Sequence, residues 1–150
     1  MLIEVKVKVS RLIDAKVKKL TETYVLDTQF FTQAEYAVTQ LLEKDLKEDG
    51  GTVEDYDIQS LKLSQIKEID EPSFHPERNS FIATLRDSWT LDDGTVKHIK
   101  YKVLLWAEDL TKANQRVQDL AKEGYDMLIE GIKQVDYEYL DNSEVDTLRT

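Results

Sequence analysis

An α+β fold made of tandem duplicated ββαβ units, with pseudo-twofold symmetry, six main antiparallel-type strands and two helices, is predicted by three observations. The N-terminus alternates Ile3, Val5, Val7 and Val9 with Glu4, Lys6, Lys8 and Ser10, the period of two expected of a strand with one buried face. Two later segments carry apolar residues at helical spacing. The chain also matches itself: displaced by 79 positions, Leu12 to Leu41 lies on Leu91 to Leu120 without a gap. Nine of these 30 positions are identical: Leu12/Leu91, Asp14/Asp93, Val17/Val96, Lys18/Lys97, Leu26/Leu105, Thr32/Thr111, Ala34/Ala113, Val38/Val117 and Leu41/Leu120. Residue frequencies alone would give about two. The match resumes at a displacement of 69, with Tyr56-Asp57-Ile58 on Tyr125-Asp126-Met127 and Gln65-Ile66 on Gln134-Val135.

Each copy shows the same order of elements. Ile3 to Val9 forms the first strand of copy one, and Phe81 to Trp89 that of copy two, with Phe81, Ala83, Leu85 and Trp89 on one side. The apolar parity of copy two is one residue out of step with copy one, which predicts a bulge or a shifted register. Turns follow at Asp14-Ala15-Lys16 and at Asp92-Asp93-Gly94-Thr95, where Asp-Gly is a strong hairpin signal. The second strands are Val17 to Asp27 and Val96 to Ala107. A helix starts at Thr32-Gln33-Ala34-Glu35, read as a capping box, and carries Ala34, Ala37, Val38, Leu41 and Leu42 on one face. Its counterpart begins near Thr111, carries Ala113, Val117, Leu120 and Ala121, and ends at Gly124, suited to a left-handed cap. Third strands run from Asp57 to Ile69 and from Met127 to Leu140. The expectation is one domain over 1–150, made of two repeats (about 1–69 and 80–140) that share a core, with a linker at 70–79 and a frayed polar tail at 141–150.

Composition excludes several function classes. The 150 residues contain no Cys, so there is no disulfide framework, thiol nucleophile or zinc-thiolate site. Five glycines are too few for a phosphate-cradling loop, and Gly50-Gly51 lies among acids that would repel an anion. The only imidazoles are His75 and His98. His75, in Glu71-Pro72-Ser73-Phe74-His75-Pro76-Glu77, matches no metal-ligand spacing, and His98 reads as a surface strand residue. Thirty carboxylates will always offer some acid/base pair, so spacing selects none. No catalytic residue, metal ligand or cofactor is expected, and the chain reads as a non-enzymatic protein. Glu4, Lys6 and Lys8 interrupt any secretory signal, and Val103 to Ala107, the longest apolar run, is far short of the roughly twenty residues of a membrane span. A cytoplasmic protein without a membrane partner is the expectation.

Charge gives the remaining signal. Twenty Lys and Arg against 30 Asp and Glu leave a net charge of −10. Residues 1–20 nevertheless hold Lys6, Lys8, Arg11, Lys16, Lys18 and Lys19 against Glu4 and Asp14, and copy two has a basic strand with Lys97, His98, Lys100 and Lys102. Lysines that alternate with buried valines face solvent. With Trp89 and Tyr101 as stacking rings, Lys6, Lys8, Lys16, Lys18, Lys97, Lys100 and Lys102 are the candidate phosphate contacts for single-stranded DNA or RNA. Tyr24 is a further aromatic near this strand. Outward lysines also guard sheet edges against pairing, and Trp89 and Trp106 are more often core than platform. The alternative is a protein-binding adaptor or inhibitor that uses acidic stretches at 43–57 and 136–150, with nucleic-acid mimicry as a variant. A homodimer through third-strand edges is also expected to be accessible.

The segments Val5-Lys6-Val7-Lys8-Val9-Ser10-Arg11, Lys19-Leu20-Thr21-Glu22-Thr23-Tyr24, Phe31-Thr32-Gln33-Ala34-Glu35, Trp106-Ala107-Glu108-Asp109 and Gly124-Tyr125-Asp126 resemble an uncharacterised family of small acidic proteins from gut bacteria and their phages, classed as a domain of unknown function. The resemblance covers most of the chain. These motifs are structural, and the resemblance implies no activity or site residue. Phage occurrence, as the resemblance implies it, favours replication-associated DNA binding or interference with a host protein.

Overall fold

The computed structural model describes residues 1–47, 52–75, 77–123 and 127–141. Strand β1 (Leu2–Ile13) turns into β2 (Lys16–Asp27) through Asp14 and Ala15, both left-handed at φ 51° and 64°. Two successive left-handed residues give the tight turn whose twist matches the flanking strands, at a cost of about 1 kcal/mol for each residue with a Cβ. Helix α1 (Phe31–Lys47), β3 (Val53–Leu63) and β4 (Ile66–Ile69) follow, then a 3₁₀ turn at Glu71–Ser73. The second half runs β5 (Asn79–Thr90), β6 (Val96–Ala107), α2 (Leu110–Glu123), β7 (Leu128–Val135) and β8 (Tyr137–Leu140). The fold is therefore α+β, with two helices and two four-stranded sheets ordered β3-β1-β2-β8 and β4-β6-β5-β7.

The third strand of each copy, expected as one piece, is broken. Copy one splits into β3 and β4 around Ser64, and copy two into β7 and β8 at Asp136. The second pieces change sheets: β8 lies parallel to β2, with Thr23 to Leu26 against Tyr137 to Leu140, and β4 lies parallel to β6. The chain accordingly forms two compact units, residues 1–64 with 137–150, and residues 65–136. Each has its own apolar cluster. In the first, Ile3, Val5, Val7 and Val9 meet Ala34, Ala37, Val38 and Leu42 of α1, joined by Leu140 from β8. In the second, Phe81, Ala83, Leu85, Val103 and Leu105 meet Ala113, Val117 and Ala121 of α2. The identities Leu26/Leu105, Ala34/Ala113 and Val38/Val117 are all fully buried, so packing accounts for them.

One local expectation holds and one is corrected. The shifted register expected in the first strand of copy two is present: β5 pairs β6 without a shift from Asn79↔Ala107 to Thr90↔Val96, but its pairing with β7 shifts between Thr84 and Leu85. The hairpin loops differ as well: two residues join β1 to β2, whereas Leu91–Thr95 joins β5 to β6 with Gly94 at φ 85°. The capping box is not formed, because Thr32 lies inside α1. Instead the Gln33 Oε1 accepts the amides of Gln29 (3.1 Å) and Phe30 (3.3 Å). At α2 the cap is Asp109, whose Oδ1 accepts the Lys112 amide at 2.8 Å, one residue ahead of the helix. Gly50-Gly51, the Gly124 cap, Tyr125-Asp126 and the tail beyond Asp141 lie outside the described residues.

Leu140 belongs to copy two by sequence and to the first core by packing. Leu140→Ala should cost about 2–5 kcal/mol. Hydrogen exchange should speed up at β1–β3 amides and leave β5–β7 protection unchanged.

Candidate nucleic-acid interface

Strand pairing sorts the predicted lysines onto faces, because residues directly opposite each other share one. On the helix-free face of the first sheet, Lys6 stands between Ser60 and Thr23, Lys8 between Asp57 and Thr21, and Ser10 between Asp55 and Lys19. Lys6, Lys8 and Lys19 are exposed and have no ion pair among the described residues. Tyr137, carried in on β8, extends the Lys6–Thr23 row. Burial and the nearby Glu4 carboxylate raise its phenol pKa. Lys16 and Lys18 lie opposite Ile13 and Arg11, on the other face of the same hairpin.

The second sheet divides its set in the same way. Lys100 and Lys102 lie opposite Arg86 and Thr84 on the helix-free face, whereas Lys97 lies opposite Trp89, and Tyr101 opposite Leu85, on the helix side. The expected platform of Trp89 and Tyr101 beside Lys100 and Lys102 is therefore not assembled on one face. Glu130 is 3.5 Å from the Lys100 ammonium and 3.4 Å from the Arg86 guanidinium, and Lys102 Nζ donates to Gln65 Oε1 at 3.0 Å. The Tyr101 hydroxyl donates to Glu68 Oε2 at 2.8 Å, and burial together with this bond pushes its phenol up to about 12. Trp89 is 45% exposed, whereas Trp106 is 4% exposed and meets Phe74 edge-on at 4.7 Å. The β5–β6 hairpin also holds Asp87, Asp92 and Asp93, which offset its cations. The first sheet is thus the better cationic surface.

Arg11, counted in the basic N-terminus, is a structural ion. Its Nε and a terminal nitrogen donate to both Glu22 oxygens at 2.6 and 2.8 Å, and the other terminal nitrogen donates to Thr52 Oγ1 at 2.9 Å. The Tyr24 hydroxyl also donates to Glu22, at 2.7 Å, so this ring belongs to the network and is fully buried. Burial alone would raise the Glu22 carboxyl, but the bonds from Arg11 and Tyr24 outweigh it and hold Glu22 below its ordinary value. Parity was the available signal: Arg11 continues the series Ile3, Val5, Val7, Val9 onto the helix-covered face.

Other chemistry finds little support. Among the described residues no group of three potential metal ligands converges. His75 Nδ1 accepts the Glu77 amide at 3.3 Å, a loop contact. Ser88 Oγ lies 2.7 Å from His98 Nδ1, but both are exposed on a bare two-stranded ribbon where nothing excludes water. Asp70 is buried and fully engaged by Arg116 at 2.8 and 3.0 Å. An open groove of about 470 Å³ beside α2 and β7 is lined by Leu110, Asn114, Ile129 and Ile132, and its one carboxylate is Glu130, which Arg86 and Lys100 already hold. No described helix is long and apolar enough to cross a membrane.

The model of a family described as a domain of unknown function (DUF4494) matches residues 1–141. The chain belongs to this family. No curated protein and no solved structure matches it. Membership thus brings no activity with it, and function has to be argued from the surfaces of the two units.

Glu22 supplies a pH test of its network. Its folded-state pKa is lowered, so its contribution is present above the unfolded value of about 4.5 and lost as pH falls through the lowered one. Glu22→Gln should cost about 1–3 kcal/mol at neutral pH. In urea titrations its deficit against wild type should close as the solution is acidified below that range.

Proposed function

We propose that the protein is a non-enzymatic cytoplasmic binding protein that engages single-stranded nucleic acid on the helix-free face of its first sheet, in a replication-associated role. The observation that carries this reading is the group Lys6, Lys8 and Lys19, exposed, without carboxylate partners among the described residues, and flanked by the hydroxyls of Ser10, Thr21, Thr23 and Ser60. Alternate residues of one strand stand about 6.7 Å apart, close to the phosphate spacing of an extended single strand. Lysines there act as point charges for phosphates, and the hydroxyls donate alongside them. β8 brings two rings to this face, the half-buried Tyr137 and the buried Tyr139; Trp89 with Lys97 forms a separate pair in the second unit. Asp55 and Asp57 at the β3 side confine an anion to the β1–β2 side of the face, and the net charge of −10 adds a long-range repulsion that the lysine contacts must outweigh at short range.

A second reading, a protein-binding adaptor or inhibitor, rests on the exposed carboxylates Glu54, Asp55 and Asp57 of edge strand β3. A basic partner would dock there, and nucleic-acid mimicry is its narrower form.

Fluorescence anisotropy with labelled single-stranded oligonucleotides separates the two. Binding should be seen at about 20 mM salt, with a log–log salt slope near −2 if three lysines contact phosphates. Lys6→Glu/Lys8→Glu should weaken it at least about tenfold, and Trp89→Ala should leave it unchanged. Absence of binding at the low salt overturns the nucleic-acid reading.

A further inference from the structure

We propose that the two open edges of the first sheet join copies of this chain head to tail, β2 of one copy against β3 of the next. β3 is a terminal strand, and β8 covers only Thr23 to Leu26 of β2, so among the described residues Lys16 to Glu22 also present an unpaired backbone edge. The two edges carry opposite charge. Lys16, Lys18 and Lys19 are exposed on one, and Glu54, Asp55 and Asp57 on the other. Charges placed only to prevent edge pairing protect a sheet best when both edges carry one sign, because every approach is then repulsive. Opposite signs repel β3 from β3 and β2 from β2, while attracting β2 to β3.

The existing rows give the register. One row of the sheet reads Asp55, Ser10, Lys19 and the row two residues along β1 reads Asp57, Lys8, Thr21. If a second copy continues the same rows, its Asp55 falls beside Lys19 on one face, and its β3 runs parallel to β2, since both are antiparallel to β1. Val17, 58% exposed, and Leu20 alternate with the lysines and would gain cover from the added strand. Both blocks lie at the hairpin end of the sheet: Val53 is beside Arg11, whereas Ser64, where the chain leaves this unit, bonds Leu2. The second sheet lacks the pattern. The open part of β6 is basic with Lys97 and Lys100, but β7 offers Lys133 and a Glu130 already held by Arg86 and Lys100. The contact is heterologous, so a pair of copies still has one free edge of each kind to which a further copy can add. It also replaces the symmetric third-strand dimer expected from the sequence, which would set Glu54, Asp55 and Asp57 against their own copies.

This inference does not rest on nucleic-acid binding, and it is tested on full-length protein freed of nucleic acid. In sedimentation velocity at about 20 mM salt, the weight-average mass should rise at least about twofold on going from ~5 to ~200 μM, and the rise should vanish at ~300 mM salt. Lys18→Glu/Lys19→Glu and Glu54→Lys/Asp55→Lys should each remain monomeric alone. Mixed together, they should associate again, since both edges of one variant are acidic and both edges of the other are basic. Circular dichroism checks that both variants are folded. A wild type that stays monomeric at low salt, association that neither variant reduces, or a mixture that stays monomeric would each overturn the proposal.

Discussion

Everything in this structure depends on how sheet edges are satisfied. A strand at the margin of a sheet leaves a row of backbone donors and acceptors that must find water or another strand. Each half of the chain builds three long strands and one helix, and then sends a four-residue strand to the other sheet, where it pairs in parallel with β2 or β6. That exchange covers part of one margin in each sheet. It also decides which stretches stay open, and therefore where charge and apolar residues are available for contact. The exposed β2 segment follows from β8 being only four residues long.

The duplicated order of elements could be read from the sequence because it rests on local periodicities: two for Ile3 to Val9, helical for Ala34 to Leu42, and a glycine turn at Gly94. Buried identities such as Ala34/Ala113 reinforced it. What could not be read depended on partners remote in sequence. Nothing local in Ile66–Ile69 or Tyr137–Leu140 says that the strand changes sheets, since a polar break at Ser64 or Asp136 looks like an ordinary irregularity. Face assignments for Lys16, Lys18, Lys97 and Tyr101 needed the pairing register, which depends on loop length. A two-residue turn and a five-residue turn place matching sequence positions differently. The helix caps fell to Gln33 and Asp109 because capping geometry is set by where the chain enters the helix, not by motif alone.

The net charge of −10 conceals this arrangement. Arg11 is withdrawn from the surface by Glu22, and Arg86 and Lys100 by Glu130, so the basic residues that count are fewer than the sequence suggests. Those left over cluster on one hairpin. The two sheets, similar in strand order, thus differ in chemistry: the first has uncommitted cations on a face and opposite charges on its edges, while the second has spent most of its cations internally.

The exchanged strands also impose an order on synthesis. Residues 65–136 contain every strand of the second sheet, so that unit can close as soon as Asp136 leaves the ribosome. The first unit, although translated earlier, waits for Tyr137 to Leu140 before its last strand exists. The usual sequence of N-terminal half first is inverted. Until Tyr137 to Leu140 emerge, the nascent first sheet holds an incomplete margin along the whole of β2, and their arrival becomes the step that commits the first unit to its native form.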